Sequence, residues 1–181
     1  MRFTKTQIVG VYLIDLQPHG DERGFFARMF CKDEFARRGL STDFVQANTS
    51  FSATKGTLRG MHYQRYPHAE AKLVKCIQGA LYDVVLDLRE ESDTFGQHQA
   101  FELTAENRSM VYIPEGCAHC FMTLENNTEI MYLVSAFYAP DAESGVRFDD
   151  AQFNIPWPMK PAEISAKDIN YPDYQDALPK S

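Results

Sequence analysis

The sequence predicts an all-β protein, a barrel or sandwich of short antiparallel strands. Helical periodicity is scarce along its 181 residues, whereas short apolar or alternating runs recur throughout. Turn-forming residues separate these runs, as at positions 78–79, 114–116 and 126–127. This spacing is typical of antiparallel sandwiches and barrels, so we expect an all-β barrel.

Eight runs are predicted to be strands and one segment is predicted to be a helix. The strand-like runs span residues 8–16, 58–63, 72–77, 80–88, 98–103, 109–113, 119–124 and 129–138. The helix is predicted over Lys32–Arg38, because acids occupy its start, bases its end, and Gly39 stands where a left-handed cap belongs. Towards the C-terminus several prolines surround Trp157, so we expect loops and a short helix that wrap the barrel.

Length and composition limit the class of protein. The length fits one domain over residues 1–181. A net charge of −7 argues against a nucleic-acid backbone or an anionic membrane as partner, because either requires a clustered positive surface. The N-terminal residues show no signal-peptide core and no run is long enough to span a bilayer, so the cytoplasm is the expected location.

The four cysteines are too few for a disulfide scaffold in a chain of this length. Cys117 and Cys120 form a C-x-x-C pair, but no second pair completes a zinc site, and the surroundings do not resemble the helix start of a thioredoxin. We therefore expect buried or half-buried thiols without a redox or metal role.

His62 is the first candidate for chemistry, because it stands in the otherwise apolar run 58–63. A lone histidine in such a strand is usually a packed or surface residue, so only its neighbours can indicate a functional role. Alternate side chains of a barrel strand face the lumen, and Gly60, His62 and Gln64 should therefore share one face. Strict alternation turns Arg59 away from His62, so a common site requires a bulge at Gly60.

A lysine and a tyrosine are expected on the same lumen. Lys72 should face inward with Val74 and Cys76, where an ammonium group costs several kcal/mol unless it is paired or solvated, and we attribute its presence to a ligand. Tyr132 and Tyr138 fall on one face of the run 129–138. A buried tyrosine hydroxyl needs a partner, so packing with one hydrogen bond and catalysis remain equal alternatives here.

A histidine, a lysine and a tyrosine that converge on one pocket suit proton abstraction next to a carbonyl group. They supply a base, a cation for the developing enolate oxygen, and an acid on the far side. No cofactor is expected, because the ketone is its own electron sink. Gly-rich phosphate loops are absent, so any phosphate would be held by side chains such as Arg23 and Arg59.

The chain resembles the dTDP-4-dehydrorhamnose 3,5-epimerase family of nucleotide-sugar epimerases. The resemblance covers most of the chain, in order, and its motifs are Asp21–Phe26, Leu58–Gln64, Tyr82–Arg89, Pro114–His119, Tyr132, Tyr138–Gly145, Phe148–Asp150, Trp157–Pro158 and Ile164–Asp168. It implies a double-stranded β-helix, the cupin-like jelly roll, with short peripheral helices. It also implies an enzyme that works as a homodimer.

The resemblance assigns catalytic roles residue by residue. His62 would be the general base and Tyr132 the general acid, Asp168 would orient the imidazole, and Lys72 would stabilise the enolate at the C4 oxygen. The implied substrate is a nucleoside-diphosphate 4-keto-6-deoxy hexose of rhamnose-type deoxysugar biosynthesis, whose C3 and C5 protons both flank the ketone. The motifs leave open whether one carbon or both are inverted.

The resemblance also implies an extended binding site. Arg23 and Arg59 would hold the diphosphate, and Phe26 and Tyr138 would sandwich the base. The sugar and nucleotide site would be lined by Gln46, Asn48, His119, Glu143 and Lys167. In this family some nucleotide contacts come from the N-terminal segment of the neighbouring subunit, so the homodimer would share its nucleotide sites.

Two positions depart from the family pattern. Arg28 stands near the nucleotide where a glutamate is usual, and a donor-only guanidinium reverses the hydrogen-bond demand of a carboxylate. We therefore hypothesise that the nucleotide differs from dTDP, for example a cytidine diphosphate, unless Arg28 points to solvent. Cys120 stands where a glycine is common, and its side chain either narrows the pocket or packs.

Three other functions compete with a two-carbon epimerase. A metal cupin would use His62, Gln64, Glu70 and His119 as ligands, but an amide oxygen is a poor substitute for imidazole on a transition metal. A non-catalytic sugar-binding jelly roll would have no use for the histidine, lysine and tyrosine set. A single-carbon epimerase or a ketoisomerase would use the same chemistry.

Overall fold

The computed structural model describes residues 1–174, which form fourteen strands and two short helices. The strands are β1 (Arg2–Lys5), β2 (Tyr12–Asp15), β3 (His19–Asp21), β4 (Gly24–Phe26), β5 (Gln46–Ser52), β6 (Thr57–Gln64), β7 (Lys72–Gln78), β8 (Ala80–Asp87), β9 (His98–Thr104), β10 (Met110–Ile113), β11 (Cys117–Thr123), β12 (Thr128–Val134), β13 (Glu143–Gly145) and β14 (Glu163–Ile164). The helices are α1 (Lys32–Ala36) and α2 (Ala166–Ile169). Over these 174 residues, neither helix has the length and apolar character needed to cross a bilayer.

Two sheets pack into a jelly roll, and the predicted all-β fold with short peripheral helices is confirmed. The first sheet has the order β1-β2-β10-β7-β12-β5, and the second has the order β13-β6-β11-β8-β9 with β14 added beside β6. Most neighbours in a sheet are distant in sequence, because the chain crosses repeatedly between the two sheets. Strands β3 and β4 form a separate hairpin.

Both sheets are covered on both faces, which explains the long apolar runs in the sequence. On β8, Leu81 and Val85 join the central core, whereas Val84 belongs to a second cluster covered by the segment around Trp157. Phe35 of α1 anchors a third cluster, which covers the first sheet. Such doubly buried strands carry apolar residues on both sides and read as continuous runs.

The structure corrects several predicted element bounds. Helix α1 ends at Ala36, two residues before the predicted end, although Gly39 does adopt a left-handed φ of +70°. The strand predicted over 129–138 is wrong beyond Val134, so Tyr138 does not share a strand face with Tyr132. The predicted run 8–16 forms a strand only over β2, because its first half is a turn.

The bulge predicted at Gly60 is confirmed. His62 pairs with His119 and Arg59 pairs with Phe121, so β6 carries one more residue than β11 between these pairs. The extra residue returns the Arg59 side chain to the side of His62. Gly60 adopts a φ of +124°, and a Cβ there would lie 2.6 Å from the carbonyl oxygen of His119 and 2.7 Å from Cα of Cys120.

The C-x-x-C residues lie on opposite sides of the second sheet. Cys117 belongs to the central core and Cys120 to the second cluster, where it packs against Gly60 and lines neither cavity described below. Burial raises the pKa of Cys117 to about 12 and that of Cys120 well above its ordinary value. Both are packed, unreactive thiols, as the sequence predicted.

We predict that Gly60→Ala lowers the free energy of unfolding by about 3 kcal/mol, because a left-handed φ and a backbone clash combine. Gly24→Ala is the matched control, because Gly24 has a φ of +129° but nothing within 4 Å of an added Cβ. The control should lose only about 1 kcal/mol. Urea denaturation of both variants measures the difference, and equal losses would contradict a tightly packed bulge.

Candidate active site

A cavity of about 500 Å³, the first cavity, lies beside β6. Its lining combines cationic, imidazole and carboxylate groups with an apolar floor. The lining residues are Ser50, Thr57, Leu58, Arg59, His62, Lys72, His119, Phe121, Ile130, Tyr132, Glu163, Ile164, Ser165, Lys167 and Asp168. A pocket with a few convergent polar groups on an apolar surface is the usual form of a small-molecule site.

A second cavity of about 330 Å³ adjoins the first. It is lined by Gln46, Asn48, His62, Tyr63, Gln64, Glu70, Lys72, Tyr132, Val134, Tyr138 and Glu143. The two cavities share three lining residues: His62, Lys72 and Tyr132. The histidine, the lysine and the tyrosine that the sequence singled out therefore form the wall between the cavities, which we call the shared wall.

His62 is held by a buried carboxylate. Its Nε2 lies 2.6 Å from Oδ1 of Asp168, whose Oδ2 accepts a hydrogen bond from the backbone N–H of Gly60. Burial acts to raise the pKa of Asp168, but the hydrogen bond and the charge of His62 hold it below its ordinary value. With Nε2–H donating to this carboxylate, Nδ1 of His62 is left as the basic nitrogen.

Helix α2 positions this carboxylate. Ser165 is the N-cap, and its Oγ accepts a hydrogen bond of 3.0 Å from the backbone N–H of Asp168. The ring of Tyr171, just beyond the helix, packs edge-on against His62 and lies directly over Gly145, where an added Cβ would clash with it. The short helix that follows β14 thus supplies the carboxylate partner of a histidine on β6.

Arg59 reaches the first cavity through the bulge at Gly60. Its guanidinium donates to Oγ of Ser52 at 3.2 Å and to the backbone carbonyl of Phe51 at 3.1 Å. Both acceptors lie at the end of β5, so the arginine ties the two sheets together at the cavity. Neutral acceptors leave its positive charge uncompensated and available to an anion.

Lys72 has a protein partner, which corrects the expectation that a ligand best explains its buried charge. Its Nζ lies 2.6 Å from Oε1 of Glu70, and each side chain is only 10% exposed. A close, partly buried pair of this kind offsets the desolvation of both ions. The lysine stays on the shared wall, but the structure does not require a ligand to explain it.

Tyr132 is half-buried on β12 and lines both cavities. Burial raises the pKa of its hydroxyl, the charge of Glu70 raises it further, and the charge of Arg59 acts in the opposite direction. The phenol therefore remains protonated at neutral pH, as a proton donor must.

A second histidine on the first cavity has its own carboxylate. Nε2 of His119 lies 2.7 Å from Oδ2 of Asp83, which is fully buried on the neighbouring strand β8. Within residues 1–174, Oδ1 of Asp83 has no hydrogen-bond partner. Asp83 is itself a signal for this pair in the sequence, because a carboxylate inside the apolar run 80–88 needs a buried partner. This signal was missed in the sequence analysis.

Five of the proposed binding residues line the second cavity or lie beside it. The backbone N–H of Tyr138 donates to Oε1 of Gln46, and the Tyr138 hydroxyl donates to Glu143 at 2.7 Å. Lys167 pairs with the same glutamate at 2.5 Å. Burial acts to raise the pKa of Glu143, but the hydrogen bonds from Lys167 and Tyr138 hold it below its ordinary value. Asn48 lines the cavity from β5.

Three proposed binding residues lie outside both cavities. Arg23, Phe26 and Arg28 are exposed, on the β3–β4 hairpin and the residues that follow it. Arg23 pairs with Asp21, its neighbour in the hairpin, whereas Phe26 and Arg28 line a separate groove of about 250 Å³ near the N-terminus. Within one chain, none of the three meets the shared wall.

The residues weighed as metal ligands are committed to other partners. His62 and His119 each bond a carboxylate through Nε2, and Glu70 pairs with Lys72. Gln64 donates to the carbonyl of His68 and accepts from the backbone N–H of Ala139. Over the described residues 1–174, no three His, Cys, Asp or Glu side chains are grouped as a metal ion would require.

Comparison with known proteins identifies the family. The family described as dTDP-4-dehydrorhamnose 3,5-epimerase matches residues 5–176. The chain belongs to this family. It is 42% identical over 178 residues to the dTDP-4-dehydrorhamnose 3,5-epimerase of Shigella flexneri, and the match covers 98% of both chains. The expectation of an isomerase of the nucleotide-sugar epimerase type is therefore confirmed.

Solved structures of the family share the whole fold. The epimerase from Elizabethkingia anophelis superposes with a TM-score of 0.95 at 39% identity and covers 98% of each chain. The epimerase from Bacillus anthracis, solved with TDP and PPi bound, gives a TM-score of 0.91 at 40% identity and covers 95% of this chain and 98% of that one. The cupin-like jelly roll is thus the fold of the family.

Proposed function

We propose that this chain inverts C3 and C5 of a dTDP-linked 4-keto-6-deoxy hexose, the epimerisation for which its family is named. The observation that carries this proposal is the shared wall, where a base, a cation and an acid meet between two cavities. Proton transfer next to a ketone needs these three groups and no cofactor. The reaction belongs to deoxysugar biosynthesis of the rhamnose type.

The proposed reaction begins with the ketone oxygen of the sugar at Lys72. Nδ1 of His62 removes the proton from C3 or C5, and the electron pair left on carbon forms an enolate whose oxygen the ammonium of Lys72 stabilises. Tyr132 then donates a proton to the same carbon from the opposite face of the ring, and the configuration is inverted. The carboxylate of Asp168 stabilises the imidazolium that forms.

A single-carbon epimerase is the second candidate. A 3'-monoepimerase from Streptomyces bikiniensis, solved in complex with dTDP-quinovose, superposes with a TM-score of 0.85 at 33% identity. Inversion of one carbon uses the same base, cation and acid, so the shared wall serves either outcome. NMR of the product in D₂O distinguishes them by counting the carbons that change configuration.

We predict that the wild-type protein exchanges solvent deuterium into C3 and C5 of a dTDP-linked 4-keto-6-deoxy hexose. His62→Asn should abolish exchange at both carbons, because it removes the proposed base. Asp168→Asn should lower kcat by roughly a hundredfold or more, since an amide no longer fixes the tautomer of the imidazole. A wild-type protein that binds the nucleotide sugar without exchange would be a binding module, and the proposal would fail.

The nucleotide site is proposed to be completed by a second subunit. Arg23 and Phe26 are exposed and distant from the shared wall of their own chain, yet the family resemblance assigns both to the nucleotide. A homodimer in which each β3–β4 hairpin reaches the partner's cavity accounts for both facts. The hairpin presents an exposed arginine and aromatic ring, which suit a diphosphate and a base.

We predict complementation between two inactive variants. His62→Ala removes the base, and Arg23→Ala removes a diphosphate contact supplied to the other subunit. Chains mixed after reversible denaturation form heterodimers with one site free of both changes, so about a quarter of the wild-type activity should return. If the mixture is no more active than the two variants measured separately, the site is not shared.

Arg28 is proposed to influence the choice of nucleotide. We predict that wild type and Arg28→Glu differ in their ratio of kcat/KM for dTDP-linked and CDP-linked 4-keto sugars, with the glutamate variant favouring thymine, whose N3–H needs an acceptor. Deuterium exchange over both nucleotides measures the ratio. Equal ratios would mean that Arg28 faces solvent in the complex.

The remaining expectations stay proposals. We propose that the whole chain acts as one domain, since the family match spans residues 5–176. The cytoplasm is the proposed location, supported by the four free cysteines, because oxidising compartments favour disulfides.

A further inference from the structure

Glu70 is the carboxylate of the second cavity closest to the proposed chemistry. It precedes β7 and lies two residues before Lys72, whose Nζ is 2.6 Å from its Oε1. Each side chain of the pair is 10% exposed. Glu70 lines the second cavity, whereas Lys72 lines both cavities.

The carboxylate of Glu70 is itself fixed. Its Oε2 accepts a hydrogen bond of 3.3 Å from Nε2 of Gln64, which is 3% exposed. The amide of Gln64 also bonds the backbone of His68, Phe137 and Ala139. A carboxylate anchored by a buried, fully bonded amide has little freedom to follow the lysine, so the lysine follows the carboxylate.

We propose that Glu70 is a positioning residue that holds the ammonium of Lys72 on the shared wall, where the substrate's ketone oxygen must meet it. The lysine side chain has four rotatable carbons and would otherwise sample both cavities. The inference rests on the proposed function, because the position of Nζ matters for catalysis only if the ketone oxygen of the substrate binds there. Glu70 acts through Lys72 and contributes no proton to the reaction.

The same carboxylate also acts on the proposed general acid. The charge of Glu70 adds to the effect of burial in raising the pKa of Tyr132, whereas the charge of Arg59 opposes it. The other ionisable side chains that line the two cavities are His62, Tyr63, His119, Tyr138, Glu143, Glu163, Lys167 and Asp168. Removal of the Glu70 charge should therefore lower the pKa of Tyr132, so that the tyrosine loses its proton at a lower pH.

The test compares Glu70→Gln, Glu70→Asp and Glu102→Gln over a pH series. We expect Glu70→Gln to lower kcat about tenfold with little change in KM, because a small displacement of a catalytic group acts on the transition state. The alkaline limb of its kcat–pH profile should move to lower pH. Glu70→Asp should keep the alkaline limb of the wild-type profile and recover part of kcat. Glu102 is exposed on β9, remote from both cavities, and its variant should match wild type.

Three outcomes decide between the possible roles of Glu70. If Glu70→Gln keeps the kcat and the alkaline limb of an active wild type, the inference is overturned. If it lowers only the free energy of unfolding, Glu70 is structural and the inference is also overturned. A wild type without turnover would instead refute the proposed function and leave the hold on Lys72 to a second measurement.

That second measurement requires no substrate. The lone pair of a neutral amine attacks a carbonyl carbon of acetic anhydride and displaces acetate, so a protonated, ion-paired lysine reacts slowly. Competitive acetylation followed by mass spectrometry should show Lys72 modified several-fold faster in Glu70→Gln than in wild type, with the exposed Lys55 as internal reference. Equal relative rates would show that Glu70 does not hold the lysine, whatever the enzyme does.

Discussion

The site depends on one extra residue in β6. Without the bulge at Gly60, strict alternation would turn Arg59 and His62 to opposite faces of the sheet, and the guanidinium and the imidazole would not line the same cavity. At the bulge β11 approaches so closely at Cys120 that no side chain fits at Gly60. A packing contact between two strands thus decides which side chains a substrate meets.

The cavities carry their charges in pairs. His62, His119 and Lys72 each have a carboxylate within hydrogen-bond distance, on α2, on β8 and in the segment before β7 respectively. The carboxylates of Asp168 and Asp83 are almost inaccessible, so these two pairs present the histidine ring to the cavity, whereas Lys72 and Glu70 are equally exposed. Arg59 differs, because among residues 1–174 it bonds only neutral oxygens. A ligand anion would meet an uncompensated positive charge at Arg59. The shared wall instead offers hydrogen-bond donors to neutral oxygens.

The sequence predicts correctly those strands whose surroundings are uniform along their length. The run 80–88 predicts β8 correctly because both of its faces are buried, and Gly60 predicts its bulge because two polar residues need one face. Strand β5 was missed because it alternates polar with small residues. The end of β12 was misplaced because Ala136, Phe137 and Tyr138 continue its apolar pattern after the chain has left the sheet. Glu70 was noticed only as a metal ligand, because its bond to Gln64 forms only when the turn between β6 and β7 brings the two side chains together.

The central claim is that a sugar ketone binds at the wall between the two cavities. A crystal structure of the protein with a dTDP-linked sugar that carries a hydroxyl in place of the ketone tests it most directly. We expect the C4 oxygen within hydrogen-bond distance of Nζ of Lys72, with His62 and Tyr132 on opposite faces of the ring. A sugar bound with C4 remote from Lys72, or with His62 and Tyr132 on the same face, would contradict the account.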